Sequence, residues 1–156
     1  MTPDASATAG EGTPATTRDD TPAPSADGTP AAGGAPRIYP TVHYPGVDDG
    51  VDFLRRAFGF EEHVIYRDDE GNPVHTELRY GPSIVFIGSD PERVGIGSLY
   101  VAVDDANAHC ERARAAGARI TVELHDTDYG SRDYTAIDPG GNRWLFGTYR
   151  PGVDAA

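Results

Sequence analysis

The chain has 156 residues, and its 13 arginines, with no lysine, stand against 25 acidic residues, so that its formal net charge is -12. So acidic a chain argues against binding of nucleic acid or anionic lipid through bulk charge, and its single cysteine excludes an intramolecular disulfide and a cysteine-based zinc site. Because the sequence shows neither an apolar run of membrane-spanning length nor the apolar core of a signal peptide, we expect a cytoplasmic protein with no membrane partner.

Residues 1–36 consist almost entirely of Thr, Pro, Ala, Gly, Ser and Asp. They include no Val, Leu, Ile or aromatic residue, so they cannot bury enough apolar surface to offset the entropy lost on ordering. The sequence therefore predicts a disordered tail over 1–36, a folded domain over 37–150 and a flexible C-terminus over 151–156.

The first half of the folded part predicts one strand, one helix and three further strands. These elements are expected at 39–44, 47–58, 63–67, 74–80 and 83–89. Val47, Val51 and Leu54 have the i, i+4, i+7 spacing of one helix face. Gly59 follows as a helix stop, and Gly81-Pro82 is a tight turn between the last two strands.

The second half predicts the same order of elements. A strand is expected over 98–103, a helix from Asp104 or Asp105 to about residue 116, and strands over 120–124, 133–137 and 143–149. Either aspartate can cap the helix, and Gly117 can end it. The run Asp-Pro-Gly-Gly-Asn at 138–142 is a strong turn signal.

The two halves align without a gap at an offset of 59 residues. The apolar helix faces coincide, with Val47, Val51 and Leu54 falling on Ala106, Cys110 and Ala113. A period of this kind indicates two copies of one supersecondary unit. The sequence thus predicts two βαβββ modules, at about 38–89 and 98–149.

Two βαβββ units in one chain resemble the vicinal oxygen chelate superfamily, which includes glyoxalase I, bleomycin-resistance proteins, fosfomycin-resistance enzymes and extradiol dioxygenases. The run from Asp138 to Trp144 is similar to the family's Asp-Pro-x-Gly-Asn hairpin, and the run from Tyr129 to Arg132 to its PhnB-like or glyoxalase-like branch. The resemblance covers about residues 37–150. It implies an α+β fold in which two four-stranded sheets form a half-open barrel around a pocket.

Strand alternation assigns one face of each sheet to that pocket. Leu99, Val101 and Val103 form an aliphatic face expected under the helices, which leaves Tyr100 on the other face. The same alternation, carried between the halves by the offset, predicts these ligand-binding residues: Tyr39, His43, His75, Glu77, Phe86, Tyr100, Arg132, Tyr134 and Leu145. Aromatic walls with a few polar groups are typical of small-molecule sites.

The remaining large side chains have expectations of their own. Trp144 and Phe146 are expected to pack under the helices, His109 to be exposed, and Cys110 to be a small buried residue. For Arg132 two readings stay open: it binds a ligand carboxylate or carbonyl, or it pairs with Asp128 or Asp133.

The resemblance implies that metal-dependent members take their ligands from the first and last strand of each module. The offset places Tyr39, Phe86, Ser98 and Leu145 at those positions, and neither phenylalanine nor leucine can bind a metal. We therefore predict no metal and no other cofactor. A divalent metal held by His43, His75 and Glu77 is the alternative, although the fourth strand is expected to separate the first from the third by about 10 Å.

Together these features predict a metal-free, homodimeric small-molecule-binding protein that sequesters an aromatic or cationic compound such as an antibiotic, by analogy with bleomycin resistance. The negative charge favours cationic ligands. An enzyme is the alternative: a glyoxalase-like lyase, an isomerase or a dioxygenase. It would depend on a metal or use Glu77, His75 and His43 as acid–base groups.

Overall fold

The structure is a computed structural model that describes residues 36–152. The predicted tail, apart from its last residue, and positions 153–156 of the predicted C-terminus lie outside the described residues. The described chain folds into two successive βαβββ modules, each with its own four-stranded sheet, so the predicted fold class is confirmed. Between residues 36 and 152, no helix is both long and apolar enough to cross a membrane.

The helices and strands follow the predicted order. The first module contains β1 (Thr41–His43), α1 (Val47–Phe53), β2 (Glu61–Arg67), β3 (Pro73–Tyr80) and β4 (Ser83–Gly88). The second contains β5 (Ser98–Ala102), α2 (Ala106–Ala115), β6 (Arg119–Asp126), β7 (Arg132–Ile137) and β8 (Arg143–Gly147). Helix α1 continues as a π-helical segment, Leu54–Phe58, and a 3-10 turn, Pro91–Arg93, follows β4.

The helix ends form as local chemistry dictates. Gly59 ends the first helical segment with a φ of 79°, a left-handed conformation that glycine adopts without steric cost. Asp105 caps α2, because its carboxylate accepts hydrogen bonds from the N–H groups of Asn107 (2.9 Å) and Ala108 (3.0 Å). The predicted apolar faces of both helices are buried, including Cys110.

In each sheet the first strand lies at the edge, parallel to the fourth, in the orders β1-β4-β3-β2 and β5-β8-β7-β6. One face of each sheet packs on the helices and carries the core, including Leu78 and Ile87 in the first sheet and the predicted pair Trp144 and Phe146 in the second. The opposite face, called here the open face, carries Phe86 and Glu77 in the first sheet and Tyr100 and Leu145 in the second.

The repeat offset is not constant along the chain. Ile87 and Phe146, 59 residues apart, occupy equivalent places in β4 and β8, but their partners Thr76 and Tyr134 in β3 and β7 are only 58 apart. The hairpin explains the difference, because two residues, 81–82, connect β3 to β4, whereas three residues, 139–141, lie inside the Asp138-to-Asn142 turn. Because of this one extra residue in the second hairpin, each residue of β7 lies on the face opposite to the one that a constant 59-residue offset assigns to it.

The two modules are joined by a buried polar cluster at this longer hairpin. The Asp138 carboxylate accepts hydrogen bonds from the Tyr44 hydroxyl (2.5 Å) and the Trp144 indole N–H (2.8 Å). It also accepts from the backbone N–H of Asn142 (2.9 Å). Because Tyr44 follows β1, this cluster fastens the first module to the second; burial, followed by the Asp138 charge, raises the pKa of Tyr44.

Candidate functional site

An aromatic ladder crosses the open face of the first sheet. It consists of Tyr39, Phe86, His75 and Tyr66, contributed by the segment entering β1 and by β4, β3 and β2. Tyr39 and Phe86 stack with centroids 5.5 Å apart and rings within 9° of parallel. The His75 ring meets Phe86 edge-on with centroids 5.5 Å apart, and it lies tilted by 30° against Tyr66 at 6.0 Å. Tyr39 is 38% exposed and Tyr66 is 56% exposed, so both ends of the ladder present aromatic surface to solvent.

One carboxylate lies beside this ladder. Glu77 is directly opposite Phe86 in the β3–β4 pairing. It accepts a hydrogen bond from His75 Nε2 at 2.7 Å, and His63 Nε2 lies 3.8 Å from its other oxygen. The neighbouring Arg79 on the same strand pairs with Glu61 instead. Glu77 therefore remains the negative group next to the rings, and its side-chain partners within residues 36–152 are histidines.

The open face of the second sheet is less aromatic. Tyr100 and Leu145 are adjacent across the β5–β8 pairing, as the alternation predicts. The Tyr100 ring extends along the face, and its hydroxyl donates a hydrogen bond to the Tyr149 carbonyl at 2.9 Å. A Cβ at Gly147 would lie 2.6 Å from that hydroxyl, so the lack of a side chain at this position leaves room for the Tyr100 ring.

A cavity of about 630 Å³ opens where β5 approaches the β3–β4 hairpin of the first module. Phe60, Val85 and Trp144 line it, together with Tyr100. Of the residues predicted to bind a ligand, Tyr100 alone lines the part of this cavity that the structure describes. The cavity and the aromatic ladder are therefore two neighbouring sites.

His43 lies at the end of β1 and is not brought to the His75–Glu77 pair. Strand β4 separates β1 from β3, as expected. The His43 ring lies over Gly88, where a Cβ would meet it at 2.5 Å, and its Nδ1 accepts a hydrogen bond from the Asp90 N–H at 3.1 Å. The structure thus does not assemble the alternative two-histidine, one-carboxylate set.

The placement of Tyr134 on the pocket face is wrong. Tyr134 is fully buried under α2, and its hydroxyl lies 2.6 Å from His109 Nδ1. His109 is not exposed as predicted, because its Nε2 also contacts the Phe58 carbonyl at 3.0 Å and its ring packs on Phe146 at 4.4 Å. The 58-residue offset of β7 turns Tyr134 towards the helix, and burial raises its pKa and lowers that of His109.

Arg132 shares the helix-facing side of β7 with Tyr134, so its predicted place in the pocket is also wrong. Its Nε donates to the Asn107 side chain at 2.8 Å, and its Nη1 pairs with Asp126 at 2.9 Å. The ion-pair reading of Arg132 was therefore the better one, although the partner is neither Asp128 nor Asp133.

The positions that the resemblance assigns to metal ligands do not fit a metal. Tyr39 and Phe86 stack on each other there, and Leu145 offers no donor atom. Ser98 is exposed at the start of β5. Among residues 36–152, no three His, Cys, Asp or Glu side chains converge in a way that could hold a metal ion.

Two residues of β2 were missed by the sequence reasoning: Tyr66, which ends the ladder, and His63, which faces Glu77. The register of β2 against β3 shifts between Glu62 and Val64 and again after Tyr66. Simple alternation fails across such irregularities. The turn at 69–72 sets Arg67 opposite Pro73, but the shift after Tyr66 lies between that turn and the Tyr66–His75 pair, so no signal in the sequence gives this pairing.

The model of the Glyoxalase/Bleomycin resistance protein/Dioxygenase superfamily matches residues 41–146. TioX from Micromonospora sp. ML1 is 30% identical with a TM-score of 0.61, over 70% of this chain and 97% of that one. A glyoxalase/bleomycin resistance protein from Catenulispora acidiphila shares the fold at 19% identity, with a TM-score of 0.56 over 70% and 95% of the two chains. The uncharacterized protein Rv0887c of Mycobacterium tuberculosis is 26% identical over 125 residues, 72% of this chain and 74% of the relative.

Proposed function

Because this chain belongs to the Glyoxalase/Bleomycin resistance protein/Dioxygenase superfamily, we propose that it binds a flat aromatic small molecule on the open face of its first sheet, without a metal. The aromatic ladder is the observation that carries this proposal. Its rings come from the segment that enters β1 and from the other three strands, and the stacked pair Tyr39 and Phe86 stands where a metal-dependent relative would need ligand atoms. Exposed contiguous aromatic surface marks a binding site more often than chance.

The charge of the site selects the ligand further. Glu77 lies next to Phe86 in the strand pairing, and its neighbour Arg79 is neutralised by Glu61. A cationic or N–H-bearing aromatic ring that packs against the ladder near Phe86 therefore finds a carboxylate beside it. Stacking contributes about 0.5–1.5 kcal/mol beyond area burial, and a charged hydrogen bond about 1.5–3 kcal/mol. Sequestration of such a compound, as in bleomycin resistance, is the activity we propose.

Fluorescence titration with proflavine, a flat aromatic cation, tests this proposal. Phe86→Ala should weaken binding about tenfold, the equivalent of a stacking contact. Tyr129→Ala is the matched control, because Tyr129 is an exposed ring outside the ladder. Equal affinity of the wild type and Phe86→Ala would show that the ladder does not bind the dye.

Proton-transfer catalysis is a second candidate, which the His75–Glu77 pair favours. Its 2.7 Å hydrogen bond is of the length a general base and its partner need. Small molecules that co-purify with the chain should then change mass or isomeric form on incubation, and Glu77→Gln should abolish the change. Recovery of the unchanged compound from the wild type would leave binding as the function.

We also propose that two copies meet over the open faces. Tyr66 lies at the rim of the first sheet, in edge strand β2, and leaves more than half of its surface exposed. A second copy would cover such a rim and enclose the ligand. Light scattering should give twice the chain mass, with dissociation favoured by Tyr66→Glu; a wild type that is monomeric at all concentrations would contradict the assembly.

A further inference from the structure

Two strand edges approach each other where the modules meet, because β1 and β5 are edge strands of their sheets and the Gly97 backbone before β5 lies against the Val42 side chain of β1. In β1 and its extension, Pro40 and Tyr44 hydrogen-bond to β4, and in the β5 segment Gly97 and Val103 hydrogen-bond to β8. Bonding residues alternate along a strand. The backbone groups of the intervening residues therefore point the other way, into the space between the two edges, called here the seam: Tyr39, Thr41, Tyr100 and Ala102.

One end of the seam is closed by an amide that belongs to the protein. The buried side chain of Asn142 accepts a hydrogen bond from the Gly97 N–H at 3.0 Å and donates one to the His43 carbonyl at 3.2 Å. A single carboxamide thus links the end of β1 to the segment that enters β5. It does so with the donor and acceptor pair that a peptide group carries.

The other end of the seam is the 630 Å³ cavity. Ile38 and Pro40 line it from the first module, and Tyr100 and Ala102 line it from the second. The charged groups at its mouth are matched in pairs: Arg150 with Asp104 at 2.5 Å, and Arg79 with Glu61. A cavity with paired charges and outward-pointing backbone groups suits a neutral, dipolar ligand rather than an ion.

We propose that the open end of the seam binds a neutral, amide-bearing small molecule, of the peptide-like or lactam type. Its carbonyl accepts from the Ala102 N–H and its N–H donates to the Tyr100 carbonyl, in the manner of an added strand. This site is separate from the proposed aromatic site, because none of the four ladder rings lines the part of the cavity that the structure describes. It holds whether or not the ladder binds a ligand.

An NMR titration of the full chain tests the site with two matched probes. In N-acetylalanine N′-methylamide the alanine N–H and C=O can reach the Tyr100 carbonyl and the Ala102 N–H, and in the matched ester, 2-acetoxy-N-methylpropanamide, an oxygen replaces that alanine N–H. The amide resonances of Tyr100 and Ala102 should shift with the methylamide, and the ester should bind about fivefold more weakly, the effect of one hydrogen bond. Equal affinities, shifts confined to Tyr66 and His75, or no shift up to the solubility of the methylamide would each overturn the proposal.

Three variants fix the place of binding. Ala102→Pro removes the N–H that faces the seam and leaves the hydrogen bonds to β8 intact. Ser83→Trp obstructs the cavity from an exposed position in the hairpin. This second variant keeps the test valid if the proline variant does not fold. Folded forms of both should lose the methylamide, and Phe86→Ala should keep it. Retained affinity in Ser83→Trp, or lost affinity in Phe86→Ala, would overturn the assignment.

Discussion

Replacement of Asp138 by alanine should destabilise the folded chain by several kcal/mol. Its buried carboxylate accepts from the Tyr44 hydroxyl, the Trp144 indole and both the backbone and the side chain of Asn142, at 2.5–3.2 Å. Truncation leaves the Tyr44 hydroxyl and the Trp144 indole N–H without an acceptor, whereas the Asn142 side chain keeps the His43 carbonyl, and each unsatisfied buried group costs about 1–3 kcal/mol. If only the two aromatic donors are left unsatisfied, the free energy of unfolding falls by about 2–6 kcal/mol. This is a large share of the roughly 5–15 kcal/mol by which a whole domain is stable.

Urea denaturation followed by circular dichroism measures this loss, with Tyr44→Phe as the matched variant. Tyr44→Phe removes one donor to a charged acceptor and should cost about 1.5–3 kcal/mol. In the Asp138→Ala background it should cost much less, because the hydroxyl has already lost its partner. A free energy of unfolding within about 1 kcal/mol of the wild type for Asp138→Ala, or strictly additive effects, would refute the reasoning.

Three further predictions concern other parts of the domain. Because burial lowers the pKa of His109, the unfolded chain takes up that proton at a higher pH than the folded chain; Tm should therefore fall as pH drops below about 6.5, and His109→Gln should flatten this part of a calorimetric pH series. Tyr100→Ala should weaken methylamide binding and leave Tm nearly unchanged, whereas Val103→Ala, which is buried on the helix-facing side of the same segment and does not line the cavity, should lower Tm and spare affinity; the reverse pattern would invert the face assignment. Gly59→Ala should cost about 1 kcal/mol in urea denaturation, because alanine is strained at a φ of 79°, and no loss would contradict the left-handed helix end.

Much of the fold could be predicted because its signals are local. Gly59 and the capping Asp105 mark helix ends by the conformations and hydrogen bonds that each residue type favours. The helix faces of Val47 and Ala106 follow from periodicity alone, and both are buried. The 59-residue offset then predicted two βαβββ modules with the same strand order, since two copies of one unit fold alike.

The candidate site was predicted only in part, because it depends on strand register. Phe86, His75 and Glu77 lie together as alternation predicted, since the short 81–82 turn leaves no ambiguity between β3 and β4. Tyr134 was misplaced because one extra hairpin residue reverses the faces of β7, and nothing in a gapless alignment reveals it. His109 was expected in solvent, but it lies where α2 meets the end of the first helical segment, a contact between modules that helix periodicity does not encode.

Metal-independent binding at the aromatic ladder is the central claim, and proflavine titration before and after chelation tests it most directly. The full chain is titrated as purified, after exhaustive treatment with a chelator, and again after addition of divalent nickel, zinc, iron or manganese. The stacked Tyr39 and Phe86 rings predict the same affinity in all three states. Binding that disappears on chelation and returns with a stoichiometric metal would contradict the account.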